Sequence, residues 1–189
     1  MSAPNTQTTP EGQADASTLP GELDYSSPSS DDHASLARDT VPVRSLRAED
    51  FDAVARIDAH ITGRNRSAYL QRKFTEALEE TGIRVSLVAE SDGAVAGFVM
   101  ARVDYGEFGR TSATAVLDTI GVDPAAEQTG IGHALMSQLL VNLQALRVDN
   151  VRTEVDWRYF GLNRFLADCG FAPAQRVALS RTVERDTHR

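Results

Sequence analysis

Between Thr114 and Leu140 the hydrophobic pattern changes period once, and that change limits what the chain can fold into. Residues Ala113 to Val122 read as a strand. A polar turn follows, and then Ile131, Leu135, Leu139, Leu143 and Leu146 recur at helical spacing as one apolar stripe. Strand, loop and amphipathic helix in that order belong to an α/β domain. The turn carries Gly130-Ile131-Gly132 at the start of the helix, where the first N–H groups have no intrahelical acceptor and glycines let an anion approach the backbone. Phosphate or pyrophosphate is the natural guest, although a lone Gly-x-Gly is often a plain turn. A P-loop is excluded, because His133 and Ala134 follow Gly132 where Lys and Ser or Thr are required. A dinucleotide fingerprint would need a third glycine where Leu135 stands. Gly121, isolated in a strand pattern, suggests a bulge or a place where another chain approaches the backbone.

The rest of the chain fits one domain. Val41, Val43 and Leu46 read as a short strand. Ala48, Glu49 and Asp50 open a helix with Phe51, Val54, Ala55 and Ile57 inward, and a second helix spans about Ser67 to Glu80. Arg84 to Glu90 and Ala94 to Asp104, joined at Asp92 and Gly93, form a hairpin. Gly106 to Arg110 is a loop. After the long helix come a strand from Val151 to Asp156, a helix from about Leu162 to Asp168 stopped by Gly170, and a strand from about Ala172 to Val183. The predicted sheet is mixed rather than wholly parallel.

The chain has 189 residues and a net charge of −8. Most of that charge sits in residues 1 to 40, where Glu11, Asp15, Glu22, Asp24, Asp31, Asp32 and Asp39 face Arg38 alone. Ser, Thr, Pro and Ala dominate the same stretch, so it is expected to be a disordered acidic tail ahead of a domain from 41 to 189. A nearly neutral domain lacks the basic stripe that nucleic acid requires. No apolar run reaches membrane-spanning length, and no secretory leader pattern opens the chain, so a cytoplasmic location is expected. Cys169, the single cysteine, has no disulfide or zinc partner, and His60 and His133 lack metal-ligand spacing, so no metal is expected.

With these motifs in place, the chain resembles the GNAT superfamily of N-acetyltransferases. Val122-Asp123-Pro124 matches the family's V-x-P at a strand end, and Glu127, Gln128, Thr129, Gly130, Ile131, Gly132 stands where the family has Q/R-x-x-G-x-G/A. Gly170 and Phe171 match its later helix-to-strand pair. The resemblance covers about residues 41 to 184. It implies a largely antiparallel central sheet flanked by helices, and acetyl-CoA as cosubstrate. It also implies that Ile120, Gly121, Val122, Gln128, Thr129, Gly130, Ile131, Gly132 and His133 bind that cosubstrate. Three positions depart from the pattern. Glu127 replaces the usual Arg or Gln, and must turn its carboxylate away from a pyrophosphate. Leu166 stands at the place of a tyrosine thought to protonate the leaving thiolate. Tyr159 stands at the place of an asparagine that contacts the cofactor.

The resemblance implies direct attack by an amine on the thioester, with base and carbonyl assistance. Asp118 is the expected general base, on the strand face of Val116 and Ile120, where burial would raise its pKa; a structural hydrogen bond is the competing role. Glu154, Asp156 and Glu107 are alternatives, and a solvated polar face explains Glu154 and Asp156 equally well. Tyr159 or water would protonate the thiolate. Arg64 and Arg66 lie where the family builds its acceptor site. The expected acceptor is a small-molecule amine, with an idle acyl-CoA sensor or a protein N-terminal acetyltransferase as the other readings. A homodimer is also possible.

Overall fold

The computed structural model describes residues 41–79, 82–105, 112–175 and 178–182. Glu107, the 106–110 loop and the 1–40 tail lie outside them. Five strands form one sheet in chain order: β1 (Val43–Ser45), β2 (Arg84–Ser91), β3 (Ala94–Tyr105), β4 (Ala113–Val122) and β5 (Asn150–Arg152). The first four run antiparallel and β5 lies parallel to β4, so the sheet is mixed, as expected. The β2–β3 hairpin turns at Asp92 and Gly93, both with positive φ, which matches the right-handed strand twist.

Four helices cover the two faces: α1 (Phe51–Thr62), α2 (Ser67–Leu78), α3 (Ile131–Ala145) and α4 (Phe160–Asp168). On one face α3 lays Ile131, Leu135, Leu139 and Leu143 against Leu87, Val99, Ala101, Ala115 and Leu117. The expected stripe stops one turn early, since Leu146 caps the helix and is 41% exposed. On the other face, Val54 and Ile57 of α1 and Leu70 and Phe74 of α2 pack on Val88, Phe98 and Met100. Strand β3 is therefore covered on both sides.

Two expectations need correction. Strand β5 ends at Arg152 rather than Asp156, because pairing with β4 stops at Val116 opposite Arg152. The strand expected over 172 to 183 is not present among the described residues there. Pro173 offers no ladder donor. Leu179 is 91% exposed, so that segment gains no apolar burial to offset the entropy of ordering it.

Candidate active site

The irregularity expected at Gly121 falls three residues earlier. Gly121 pairs in register with Phe98, whereas Met100 faces Thr119 and Ala101 faces Leu117, so Asp118 is the extra residue of a bulge. Gly121 is a packing glycine: a Cβ there would lie 2.8 Å from both Ile61 Cδ1 and the Phe98 ring. The bulge also breaks the strand period. Leu117 and Ile120 pack against the same core, so Asp118 does not share a face with Ile120 as simple alternation requires.

Beyond the bulge β4 and the chain after β5 separate. Thr153 Oγ1 donates to the Leu117 carbonyl at 3.0 Å, and no ladder continues past that point among the described residues. The gap is the narrow end of a cavity of about 920 Å³, lined by β4 from Leu117 to Val122, the first turn of α3, residues 153–156, α4 and the end of α1. That volume suits a ligand of drug size or larger. Backbone groups on the freed edge of β4 face a space instead of a strand.

The floor is the loop from Asp123 to Gly130. Asp123 Oδ1 accepts from Ala125 N at 3.0 Å and Thr129 Oγ1 donates to the Ala126 carbonyl at 2.6 Å, which fixes the turn. Gln128 and Gly130 both have positive φ, 64° and 84°. Gly130 caps α3 without a side-chain bond, and the first intrahelical bond runs from Ala134 N to the Gly130 carbonyl at 2.9 Å. The N–H groups of Ile131, Gly132 and His133 therefore have no acceptor within the helix, and they can hold an anion. Gly132 has a second reason to be glycine: a Cβ would lie 3.1 Å from the Phe165 ring of α4. The same ring meets His133 edge-on at 5.2 Å between centroids. Glu127 is exposed, lines the cavity and has no partner among the described residues that would hold it away from the cradle.

All the expected site residues, Asp118, Glu154, Tyr159 and the 120–133 set apart from Thr129, line this cavity. Their carboxylates differ in what holds them. Asp118, 10% exposed, accepts from Lys73 Nζ at 3.0 Å on one oxygen and from Arg102 Nη1 on the other. Burial works against the Lys73 charge, but hydrogen bonds to Glu76 and Asp118 outweigh it and raise its pKa. Asp156 is bound by Arg158, whose guanidinium holds it below the usual carboxylate range. Glu154 is exposed and has no such partner among the described residues. Tyr159, 66% exposed, precedes α4, while Leu166 is buried in the α3-side core.

The sequence did not reveal Asp58, which is 3% exposed in α1 and grips Arg66 through Nε at 2.9 Å and through Nη2. Arg66 also lies 4.9 Å over the Tyr69 ring. Arg66 is thus engaged by the fold at the cavity wall, and Arg64 does not line the cavity. Lys73 and Arg102 were missed as well, since their meeting with Asp118 depends on the bulge.

A sheet that opens beside the first turn of α3, with free N–H groups at the helix start and carboxylates lining the same cavity, can hold an anionic ligand next to acid–base groups. The acetyltransferase (GNAT) family profile matches residues 47–171, and the chain belongs to that family. It is accordingly an acetyl-CoA-dependent N-acyltransferase. Solved structures share the fold at low identity. A transcriptional regulator from Bacillus halodurans is 18% identical with a TM-score of 0.65, over 76% of this chain and 99% of its own. Aminoglycoside 6'-N-acetyltransferase AAC(6')-Ih from Acinetobacter baumannii is 16% identical with a TM-score of 0.65, over 77% and 99%. AAC(6')-Iy, solved with a bisubstrate analogue of CoA, is 18% identical with a TM-score of 0.64, over 76% and 98%. No curated protein matches the chain by sequence.

Proposed function

We propose that this enzyme acetylates a primary amine of a small molecule, and that Glu154 accepts the proton of the attacking ammonium. The amine nitrogen attacks the thioester carbonyl, the C–S bond breaks, and the thiolate takes a proton from Tyr159 or water. In this reading, backbone N–H groups near Ile120 and Val122, on the freed edge of β4, receive the pantetheine arm and polarise the carbonyl. The observation that carries the assignment is the state of the carboxylates: Asp118 and Asp156 are engaged by cations, and Glu154 has none among the described residues. A base needs an oxygen free to take a proton. Asp118, held from two sides, positions the strand instead.

A small acceptor is supported by the two similar aminoglycoside acetyltransferases, whose acceptors are small amines. In this reading the enzyme works in the cytoplasm, where acetyl-CoA is available, and residues 1 to 40 take no part in turnover. Among the described residues no helix is long and apolar enough to cross a membrane. A homodimer is compatible with the site, which needs no second copy. The test is free-thiol release from acetyl-CoA across amines, amino acids and peptides. Multiple turnovers with a small amine are expected, and turnover confined to peptide N-termini would refute the acceptor class.

A further inference from the structure

The anion cradle carries a carboxylate, Glu127, with no cation bound to it among the described residues. Coenzyme A brings a pyrophosphate and a further phosphate, so a helix N-terminus, equivalent to about half a charge, leaves most of that charge uncompensated. Two arginines line the cavity, Arg66 and Arg164. Arg66 is spent on buried Asp58. Arg164 is exposed, makes no ion pair or hydrogen bond among the described residues, and sits on α4 immediately before Phe165. Phe165 lies against Gly132 and His133, in the first turn of α3. The helix carrying Arg164 is thereby packed against the first turn of α3, beside the cradle.

We propose that Arg164 is the counter-charge for the phosphates of acetyl-CoA, supplied from α4 because the cradle loop carries Glu127 where a cation would otherwise serve. A guanidinium suits this task, since its planar donor set matches phosphate oxygens bidentately. Asp168, one turn further along α4, also lines the cavity without bonding Arg164, so no group among the described residues uses the guanidinium.

Calorimetric titration of CoA into the wild type, Arg164→Gln, Arg164→Lys and Glu127→Gln tests this, with thermal shift by millimolar pantetheine, which lacks the phosphates, as the control. Arg164→Gln should weaken CoA binding about tenfold to a hundredfold, the worth of hydrogen bonds to a charged group. It should also flatten the salt dependence and leave the pantetheine shift unchanged. Arg164→Lys should recover part of the loss, and Glu127→Gln should tighten binding a few-fold by removing repulsion. Arg164 is exposed and unpartnered, so unaltered melting of the free variants is expected and shows that they fold. Equal CoA affinity in the wild type and Arg164→Gln overturns the proposal, as does an equal loss for CoA and pantetheine. Absence of CoA binding by the wild type would instead count against the cosubstrate.

Discussion

Asp118→Asn and Glu154→Gln are expected to separate stability from catalysis. The Asp118 carboxylate is 10% exposed and sits between Lys73 and Arg102, which are 16% and 35% exposed. Removing one partner of a buried ion pair costs about 3–5 kcal/mol when the other charge is stranded. Here neither cation is stranded, because Lys73 keeps Glu76 at 2.9 Å and Arg102 keeps Asp104 at 3.3 Å. The expected cost is therefore lower, about 2 kcal/mol, which for a domain of this size lowers Tm by about 4–8 °C. The rate per folded molecule should fall less than about tenfold, since general acid–base catalysis itself is worth more than that. Glu154→Gln reverses the pattern. An exposed side chain without partners contributes within about 0.5 kcal/mol to stability, whereas loss of a general base lowers kcat by about a hundredfold to ten-thousandfold. The acid limb of the pH–rate profile should flatten in Glu154→Gln alone. Melting curves and initial rates taken on the same preparations read both quantities. A hundredfold slower Asp118→Asn, with Glu154→Gln near wild type, would refute the assignment and return the proton to Asp118.

Acetyl-CoA at a hundredfold excess over its Kd should stabilise the wild type by about 2.7 kcal/mol. Gly130→Val should lose that thermal shift, measured relative to its own ligand-free Tm because the 84° φ makes any side chain there strained. Asp50 accepts from Arg44 at 2.8 Å on each oxygen, and these bonds, against the opposing effect of burial, hold its carboxyl below the usual range. The folded value is thus below the unfolded one. The resulting stability is present above about pH 4 and is lost as pH falls through the folded value, and Asp50→Asn should remove that part of the Tm–pH slope. Burial pushes the Cys169 thiol up to about 11. Alkylation by iodoacetamide at pH 8 should therefore be slow while the protein is folded and fast in denaturant, and rapid labelling of the native protein would contradict that burial. Tyr159→Phe should slow turnover modestly with CoA affinity unchanged, because water can also protonate a thiolate. Wild-type rates in that variant would give the proton wholly to solvent.

Local pattern and long-range register were not equally legible in the sequence. The period change at Val122 and the glycines at 130 and 132 located β4, the cradle and α3 because each is a local property: spacing along one segment and the absence of a side chain. The fate of Asp118 was not local. Alternation put it on the face of Ile120, and only the pairing of β3 with β4 shows that one residue of β4 has no opposite number. Two of its consequences decide the chemistry. Asp118 is delivered to Lys73 of α2 and Arg102 of β3, which occupies both of its oxygens. From the same point β4 and β5 stop pairing, and the edge from Asp118 to Val122 is left for a ligand. The bulge that opens the strand edge also ties the carboxylate at its base to two cations, and the proposed base therefore lies beyond the opening. Glu154, two residues past the last paired residue of β5, is where the separating chain first carries an acid, and the proposal of Glu154 as base rests on the same register shift that pairs Asp118 with two cations.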